Sequence, residues 1–357
     1  MGVRLQRVNP LSIRESAIDF FWRMKAWPFE TREEYERCWD WRYTSIPESD
    51  PIVWVALDGP KIIGHVACNL RRFRIDGREV RAGIPGNFLV DPEHRNTIIG
   101  AQLAGAPIKL AQRGETDIFI GYGNQIAHAL ALGLGCRSLG PMLPFLDVRR
   151  FGPAIGRRLP GGAALGPVAD GALAAWRALA GRRRARPPAG LSARRLSAAE
   201  LAAIDRSAWS VREGLTWWGD SAYLARRFLG CPIRSYRADA VIDLATGRAA
   251  AVVISEGTAR FNVILCVADR AVLSEVQAVE AVLRSDATAE LGLVPLLPGT
   301  RLATEFAQAG YLQRSLQHAD TVLQRTTWSA LWKPTHELAG AFAALEHWNV
   351  WYGWNSH

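Results

Sequence analysis

The stretch from Phe88 to Leu103, FLVDPEHRNTIIGAQL, combines residue types that could bind an anion. Its apolar strand end is followed by Asp-Pro, which stops the strand, and by a polar turn that opens onto a helix. The first N–H groups of a helix have no partner within it, and the helix dipole favours negative charge beside them. Because Arg95 adds a formal positive charge, the pattern predicts a phosphate-binding turn.

Side chains that could move a proton stand beside this turn. Asp91, Glu93 and His94 follow the strand end and could accept a proton from a nucleophile. The same three residues also suit a plain turn and a solvated helix start, and that alternative stays open. Tyr122, at the end of the next predicted strand, is a candidate acid, with a core tyrosine as its alternative.

The turn resembles the coenzyme A loop of the GNAT acyltransferase superfamily, which reads Arg/Gln-x-x-Gly-x-Gly/Ala. Arg95 fills the first position and Gly100 the last, whereas Ile98 replaces the first glycine. An isoleucine reaches positive φ only at a cost and could crowd a diphosphate, so weak coenzyme binding is expected. The residues that the resemblance assigns to the coenzyme are Val90, Arg95, Asn96, Thr97, Ile98, Ile99, Gly100, Ala101 and Asn124.

A second segment resembles the one that closes GNAT domains. Asn124, Ala127 and Gly135 stand in the family's positions, and Cys136 replaces the usual phenylalanine. The position that often holds a catalytic tyrosine is Ala131 in this chain. The resemblance therefore implies that any acid comes from another residue or from water.

The predicted elements that position these residues are strands paired by tight turns in the early part and alternating strands and helices in the later part. Such an order predicts an α/β fold with a mixed sheet and helices on both faces. Neither a Gly-x-Gly-x-x-Gly after a first strand nor a Walker lysine loop occurs, so ATP and NAD lose their usual sequence support. The predicted elements of the first half are strand 4–8, helices 12–24 and 32–43, strands 52–57, 61–69 and 80–90, helix 99–112, strand 117–122, helix 125–132 and strand 143–148. Gly105 and Pro107 predict that the helix after the turn kinks or ends early.

A weak repeat relates the two halves. Arg42 precedes an aromatic residue and then Pro47, and Arg227 precedes an aromatic residue and then Pro232 at the same spacing. Strand-like runs and a glycine turn follow each match. The second half's counterpart of the loop, residues 263–272, lacks both the Pro-Glu-x-Arg turn and a glycine. We therefore predict two tandem GNAT-like domains with mixed, mostly antiparallel sheets, the second degenerate; an unrelated α/β domain is the alternative.

Length and composition favour two domains. A chain of 357 residues exceeds what one hydrophobic core usually organises. Residues 151–190 contain eight Gly, five Pro and eleven Ala, a composition typical of a linker or flexible excursion. The predicted division is a catalytic acyl-CoA-binding domain at 1–150, the linker at 151–190, and the degenerate domain with its Trp-rich tail at 191–357.

The net charge of +9 is concentrated in one segment. Residues 151–190 hold seven arginines and one acid, which gives +6 and leaves +3 for everything else. A surface that follows a phosphate backbone would spread its charge over the fold, so no nucleic acid is expected. A short helix at 168–180 leading into Arg182–Arg186 resembles a peripheral membrane contact, with a solvated tether as the alternative.

Other residue classes narrow the range of functions. Five scattered cysteines without a Cys-x-x-Cys pair argue against a disulfide scaffold and against structural zinc, and no metal is expected. No apolar run approaches the roughly 18 residues of a membrane span, and the start lacks the apolar centre of a signal peptide, so a cytoplasmic protein is expected. Fourteen tryptophans include Trp217, Trp218, Trp348, Trp351 and Trp354. Their clustering suggests a carbohydrate-type or lipid-linked acceptor, with core packing as the alternative.

The leading interpretation is an acyltransferase that uses acetyl-CoA or another acyl-CoA as co-substrate. An amine or hydroxyl of a small metabolite, sugar or peptide would attack the thioester directly, and backbone N–H groups near Val90 would stabilise the oxyanion. A peptidyltransferase that uses aminoacyl-tRNA on two GNAT-like domains is one alternative. A non-catalytic acyl-CoA-binding module is another, consistent with Ala131 and Ile98.

Overall fold

Two mixed sheets with flanking helices are seen in the computed structural model, which describes residues 2–44, 51–95, 97–158, 162–179, 185–257, 260–313, 327–349 and 351. The amino-terminal elements are β1 (Arg4–Val8), α1 (Arg14–Arg23), α2 (Arg32–Tyr43), β2 (Ile52–Asp58), β3 (Lys61–Ile75), β4 (Arg78–Val90), a 3-10 turn (Pro92–His94), α3 (Ile98–Arg113), β5 (Ile118–Gly123), α4 (Gln125–Gly133), β6 (Arg137–Pro141) and β7 (Leu143–Val148).

The remaining elements follow in the same alternating style. They are α5 (Gly152–Arg158), α6 (Gly162–Leu179), β8 (Leu191–Leu196), α7 (Ala198–Ala202), β9 (Thr216–Trp217), α8 (Ser221–Leu224) with a π-helical turn (Ala225–Leu229), β10 (Tyr236–Asp243), β11 (Ala249–Glu256), β12 (Arg260–Ala268), α9 (Glu275–Ser285), β13 (Leu291–Leu296), α10 (Arg301–Gln308), β14 (Leu312–Gln313), β15 (Thr327–Trp332), α11 (Ala339–Ala343) and a second 3-10 turn (Leu345–His347).

Strand β2 shows why the first sheet is covered on both faces. Val53 and Val55 pack with α1 and α2, whereas Trp54 and Ala56 pack with α3. Successive side chains of a strand point to opposite faces, so a strand buried on both sides is continuously apolar. The first sheet therefore has α1 and α2 on one face and α3 on the other.

Each sheet contains strands from both halves of the sequence. The first has the order β1-β2-β3-β4-β5-β15-β6, with β9 added on β3, and the second has the order β14-β7-β13-β12-β11-β10-β8. Strand β15, from the carboxyl-terminal part, lies between β5 and β6, and β7 lies between β13 and β14. The predicted mixed α/β architecture with two sheets is confirmed. The predicted boundary at residue 150 divides the sequence, but β7, β9 and β15 each join the other half's sheet.

Strands β4 and β5 run parallel and then part. Their pairing is confined to Ala82 with Ile118 and Gly83 with Phe119. Further along β4, the register with β3 shifts between His65 and Ala67, and Asn87 adopts a φ of 51°. This irregularity is a β-bulge, which bends a strand and increases its twist. An opening therefore lies between the carboxyl-terminal parts of β4 and β5.

Two expectations about helices are corrected. Helix α3 continues through Gly105 and Pro107 to Arg113 and does not end early. Within the predicted linker, residues 152–158 and 162–179 form α5 and α6, which approach so closely that a Cβ on Gly152 would lie 3.0 Å from the Gly166 Cα. Among the described residues, no helix has both the length and the apolar character needed to cross a membrane.

Candidate functional site

The predicted phosphate-binding turn has the strand-turn-helix form that its sequence indicates. Asp91 begins the 3-10 turn and accepts a hydrogen bond from the Glu93 backbone N–H at 3.3 Å. Thr97 caps α3: its hydroxyl donates to the His94 carbonyl at 2.6 Å and accepts from the Ile99 N–H at 3.4 Å. The turn is thus fixed by its own polar side chains, and the N-terminus of α3 follows it directly.

The start of α3 has room for an anion. A Cβ on Gly100 would meet nothing within 4 Å, and the Ile98 side chain is 69% exposed. Ile98 is the first residue of α3 and is not among the residues with positive φ, so this position does not require glycine for its conformation. The conformational objection to Ile98 is therefore wrong. Crowding by its exposed side chain is the effect that remains.

The residues assigned to the coenzyme have different surroundings. Arg95 is exposed, and its Nε donates to the Val90 carbonyl at 3.2 Å, which ties the guanidinium to the end of β4. Val90 and Ile99 are buried in the core between the sheet and α3, so their side chains anchor the turn. Thr97, Ile98, Gly100 and Ala101 form the exposed or half-buried start of the helix, and Asn96 lies outside the described residues.

An apolar cavity of about 90 Å³ lies beside the opening between β4 and β5. Its walls come from both strands, from α3 and α4, and from β15. The lining residues on β4 and α3 are Pro85, Phe88, Ala104, Pro107 and Ile108, and those on β5 and α4 are Phe119, Gly121, Tyr122, Gly123, Ala127, His128, Leu130 and Ala131, joined by Val66 and Ser329. A small apolar group could be enclosed here.

Tyr122 and His128 are the wall residues with a titratable proton. The Tyr122 ring packs on Trp328 with centroids 5.4 Å apart, and Ile118 and Ile120 share the core of Trp328. Alternation along β5 thus places the Tyr122 ring on the face opposite α4. His128 lies on α4, one turn before Ala131, and its buried Nδ1 has no hydrogen-bond partner. His128 was not among the catalytic residues predicted from the sequence, where its i, i+3 spacing from Ala131 is the available signal.

The three predicted bases are brought together, but outside this cavity. Side-chain ligand atoms of Asp91, Glu93 and His94 lie within 4.8 Å of one another, and none of the three lines the cavity. Asp91 is buried, with Arg23 at 3.4 Å and Lys61 at 3.9 Å from its carboxylate. Because Arg23, Lys61 and the Glu93 N–H already contact this carboxylate, the main role of Asp91 is to hold the turn against α1 and β3.

Asn124 has a local structural role at the end of β5. It is the N-cap of α4, and its side-chain oxygen accepts from the Ala127 N–H at 3.0 Å. A Cβ on the preceding Gly123 would lie 2.5 Å from the Ala127 Cβ. The cap and this glycine therefore allow α4 to turn sharply back over the cavity.

The second half presents a different surface at the equivalent place. Helix α9 begins with a capping box between Ser274 and Gln277. Its first residue, Glu275, is buried and binds Arg212 at 2.7 Å and Arg270 at 2.9 Å. The first turn of α9 thus carries an acidic side chain that two arginines bind, and the degeneracy of the second domain stays a prediction.

The tryptophans mostly fill the core. Trp217, Trp348 and Trp351 are buried, and the Trp348 indole donates to the Phe342 carbonyl at 3.1 Å. Trp218 is half-buried, and the Arg74 guanidinium lies 3.6 Å from its ring centroid. Trp354 lies outside the described residues. Core packing therefore accounts for most of the tryptophans that suggested a carbohydrate-type acceptor.

Comparisons with known proteins place this geometry in context. A sequence profile described as the acetyltransferase (GNAT) family matches residues 15–135. A probable N-acyltransferase of Enterococcus faecalis has a similar structure, with a TM-score of 0.58 and 10% identity over 92% of this chain and 72% of that chain. GCN5-related N-acetyltransferases of Anabaena variabilis and Kribbella flavida give TM-scores of 0.54 and 0.52, with 10% and 15% identity over 92% of this chain and 72% and 70% of theirs.

These likenesses concern the fold, since all three identities are low. No curated protein matches the sequence. The family profile spans the loop, the cavity wall except Ser329, and the closing segment as far as Gly135. The start of α3, with Arg95 and the open space at Gly100, suits a diphosphate, and the adjacent apolar cavity suits an acyl group.

Proposed function

We propose that this chain transfers a short acyl group from an acyl-coenzyme A to an amine, because residues 15–135 match the profile of the GNAT acetyltransferase family. The observation that carries the proposal is the opening between β4 and β5, which has the apolar cavity beside it and the α3 helix after β4. A thioester in this opening would have its diphosphate beside Arg95 and its acyl group among apolar side chains.

The chemistry needs one nucleophile, one leaving group and two proton transfers. The amine nitrogen attacks the thioester carbonyl carbon, the carbon–sulfur bond breaks, the thiolate gains a proton and the amine nitrogen loses one. Backbone N–H groups on the β4 edge beyond Gly83 have no β5 partner among the described residues. Donors fixed at such an edge can stabilise the oxyanion of the tetrahedral intermediate.

His128 is the residue we assign to the proton that the thiolate takes up. It lines the cavity on the α4 side, where Ala131 offers no proton, and its Nδ1 has no competing partner in the protein. Tyr122 is the acid expected from the sequence, but its ring lies on the sheet face opposite α4, against Trp328. We assign it to contact with the acceptor amine and not with the thiolate. The proton-accepting base remains a prediction for Asp91, Glu93 or His94.

Cavity size supports a short acyl group. Its volume of about 90 Å³ is smaller than the roughly 150 Å³ of an apolar cavity that admits benzene. Acetyl and propionyl groups suit such a space, whereas a long alkyl chain would have to displace the wall formed by Phe119 and Ile108. We therefore propose acetyl-CoA or a similar short acyl-CoA as donor.

Calorimetry with acetyl-CoA tests the proposed donor site. Arg95→Ala should weaken binding about 10-fold because a charge-assisted contact is lost. Ile98→Gly should strengthen it, because the exposed side chain no longer crowds the start of α3. Ile126→Gly, which removes an equally exposed apolar side chain from α4, is the matched control. Equal heats for wild type and Arg95→Ala would contradict the assigned loop.

Thiol release separates the proposed reaction from the alternatives. Wild-type protein with acetyl-CoA and a panel of amines should release free thiol, which a non-catalytic module would not do. Filter binding with tRNA tests the peptidyltransferase alternative. Retention of tRNA without any thiol release would replace the proposed function by that alternative.

A further inference from the structure

The two arginines of the internal repeat meet in the folded protein. Arg42 lies on α2 and Arg227 lies in the π-helical turn after α8, and the Trp41 ring lies between these elements. The guanidinium carbons of Arg42 and Arg227 are 5.5 and 4.8 Å from the Trp41 ring centroid. The repeat therefore brings two equivalent cations to one place at the junction of the halves.

A third arginine completes this group. Arg71 lies on β3, with its guanidinium carbon 5.1 Å from the Tyr223 ring centroid and a hydrogen bond from its NH1 to the Leu70 carbonyl at 3.1 Å. Burial lowers the pKa of Arg71, and the nearby Arg227 lowers it further. All three arginines are less than one-tenth exposed. Arg42, Arg71 and Arg227 are called the arginine cluster below.

Two members of the arginine cluster, Arg42 and Arg71, differ from the buried arginines of the second half. Arg212 binds Glu275 and Glu305, and Arg237 binds Asp239 and Asp286. Among the described residues, neither Arg42 nor Arg71 forms an ion pair with an acid. Removing a cation from water costs several kcal/mol unless an opposite charge compensates it. The Arg42 Nε, moreover, has no hydrogen-bond partner.

The cluster lies on the face of the first sheet opposite α3. Val66 and Cys68 of β3 pack toward α3 whereas Ala67 packs toward α1 and α2, so Arg71 is on the face opposite α3. The Tyr122 ring is on this same face. Arg71 pairs with Ala82, which also pairs with Ile118 of β5 at the point where the strands begin to part. Two strand spacings of about 4.8 Å separate β3 from β5.

We propose that the arginine cluster binds the anionic group of the acceptor, a carboxylate or a phosphate, and so selects acidic amines as substrates. Guanidinium groups present forked N–H donors that match both anions, and the surrounding rings of Trp41 and Tyr223 hold those donors in place. The acceptor's anionic group and its amine would lie within about 10 Å of each other, which follows from the strand spacing. The selection of acidic amines rests on the proposed function, whereas binding of the anion itself does not depend on acyl transfer.

Anion-dependent stability tests the site without catalysis. The melting temperature of wild type should be several degrees higher in phosphate or sulfate than in chloride at equal ionic strength, because the anion binds the folded state. Arg42→Met and Arg71→Met should lose this difference, while their stability in chloride stays equal or rises since a buried unpaired charge has been removed. Arg78→Met, at an exposed arginine that pairs with Glu337, should respond as wild type does. The same anion response in all four proteins would overturn the site.

Paired acceptors test the selectivity and identify the anion. Alanine against ethylamine compares acceptors with and without a carboxylate, and phosphoethanolamine against ethanolamine does so for a phosphate. Wild type should prefer one acidic member, and Arg71→Met should reduce that preference by about 10- to 100-fold in kcat/KM. Unchanged preference in Arg71→Met would overturn the proposed selectivity. An anion response without thiol release from any acceptor would leave the anion site standing, but it would contradict the proposed acyl transfer and, with it, the selection of acidic amines.

Discussion

At the scale of single residues, His128 is a polar side chain in the otherwise apolar wall of the cavity, and its surroundings support a role as proton donor. It faces the cavity one helical turn before Ala131, so both side chains lie on the same face of α4. A neighbouring hydrogen-bond partner would have explained it as a structural histidine, but the described residues supply none for Nδ1. A proton donor beside a leaving thiolate is the role that this position supports.

Replacement of His128 should slow the step in which the thiolate leaves. For His128→Leu we expect kcat with acetyl-CoA to fall about 100-fold, the usual size of a general-acid contribution, with little change in the acetyl-CoA dissociation constant. An acetyl thioester of an acidic aromatic thiol, which leaves without a proton, should be used equally by both proteins. Gln125→Leu, at an exposed position of α4, is the control. Equal losses with both donors would argue against proton donation.

His65 makes a different contribution, to stability. It is fully buried, its Nδ1–H donates to the Asn87 carbonyl at 2.9 Å, and burial lowers its pKa to about 4. Because the unfolded chain protonates near the ordinary histidine pKa of about 6.5, only the unfolded state gains a proton between those values. Stability should therefore fall by about 3 kcal/mol as the pH drops from 6.5 to 4.

Urea unfolding at pH 7 and pH 4.5 measures this contribution. His65→Phe removes the titrating group and should show a smaller loss of unfolding free energy over that interval than wild type. Leu11→Ala, which removes an exposed apolar side chain and no titratable group, should behave as wild type does. A pH dependence of His65→Phe equal to that of wild type would show that His65 does not contribute.

At the scale of elements, the packing of β3 against α3 determines where the start of α3 lies. A Cβ on Gly64 would be 2.5 Å from the Leu103 Cδ1 and 3.3 Å from the Ala56 Cβ. The strand and the helix are thus in contact at a position that has no space for a side chain. The start of α3, and with it the predicted diphosphate site, depends on this contact.

Gly64→Val should destabilise the fold by about 1 to 3 kcal/mol, the range for overpacking, and should weaken acetyl-CoA binding because α3 is displaced. Urea unfolding and calorimetry measure the two effects. Adding Leu103→Ala should recover part of both, since it removes the side chain that the new Cβ would meet. Gly133→Ala, where nothing lies within 4 Å, is the control. Full stability of Gly64→Val would show that the contact is loose.

Local elements were predictable from the sequence, whereas their partners across the molecule were not. The strand-turn-helix around Arg95 follows from Asp91-Pro92 and from the cap Thr97, and it was predicted within one residue at the start of α3. Strand β7 was also predicted at its observed position, but it pairs in the second sheet, because pairing depends on residues more than a hundred positions away. The arginine cluster is of the same kind: the repeat marks Arg42 and Arg227, and only the fold brings them together.

At the scale of the whole molecule, the strands that pair in the other half's sheet join the two halves. Strand β15 pairs with β5 along six residues, and β7 pairs with β13 along six residues. Separation of the halves would therefore expose strand edges in both sheets, and unpaired edges promote aggregation. The described helices α5 and α6 connect the halves, and their exposed Leu165, Val168 and Trp176 are consistent with the peripheral membrane contact that the sequence predicts and that stays a prediction.

Fragments divided after Gly190 test this mutual dependence. Produced separately, residues 1–190 and 191–357 should be insoluble or largely unfolded, because each lacks one internal strand of its sheet. Produced together, they should elute as one complex and release thiol from acetyl-CoA. A full chain with a protease site inserted after Gly190 is the control, and it should stay associated after cleavage. Two separately folded, monomeric fragments would contradict the prediction.

The place of β15 also has a consequence for how the chain acquires its activity during synthesis. The ribosome delivers the loop, the cavity walls of β4 and β5 and helix α4 long before it delivers residues 327–332. Until then β5 has no neighbour on its outer side, so the acyl-binding wall is incomplete although every residue of the family profile has been translated. Nascent chains arrested before residue 327 should therefore lack activity, and competence should arise only near the end of translation.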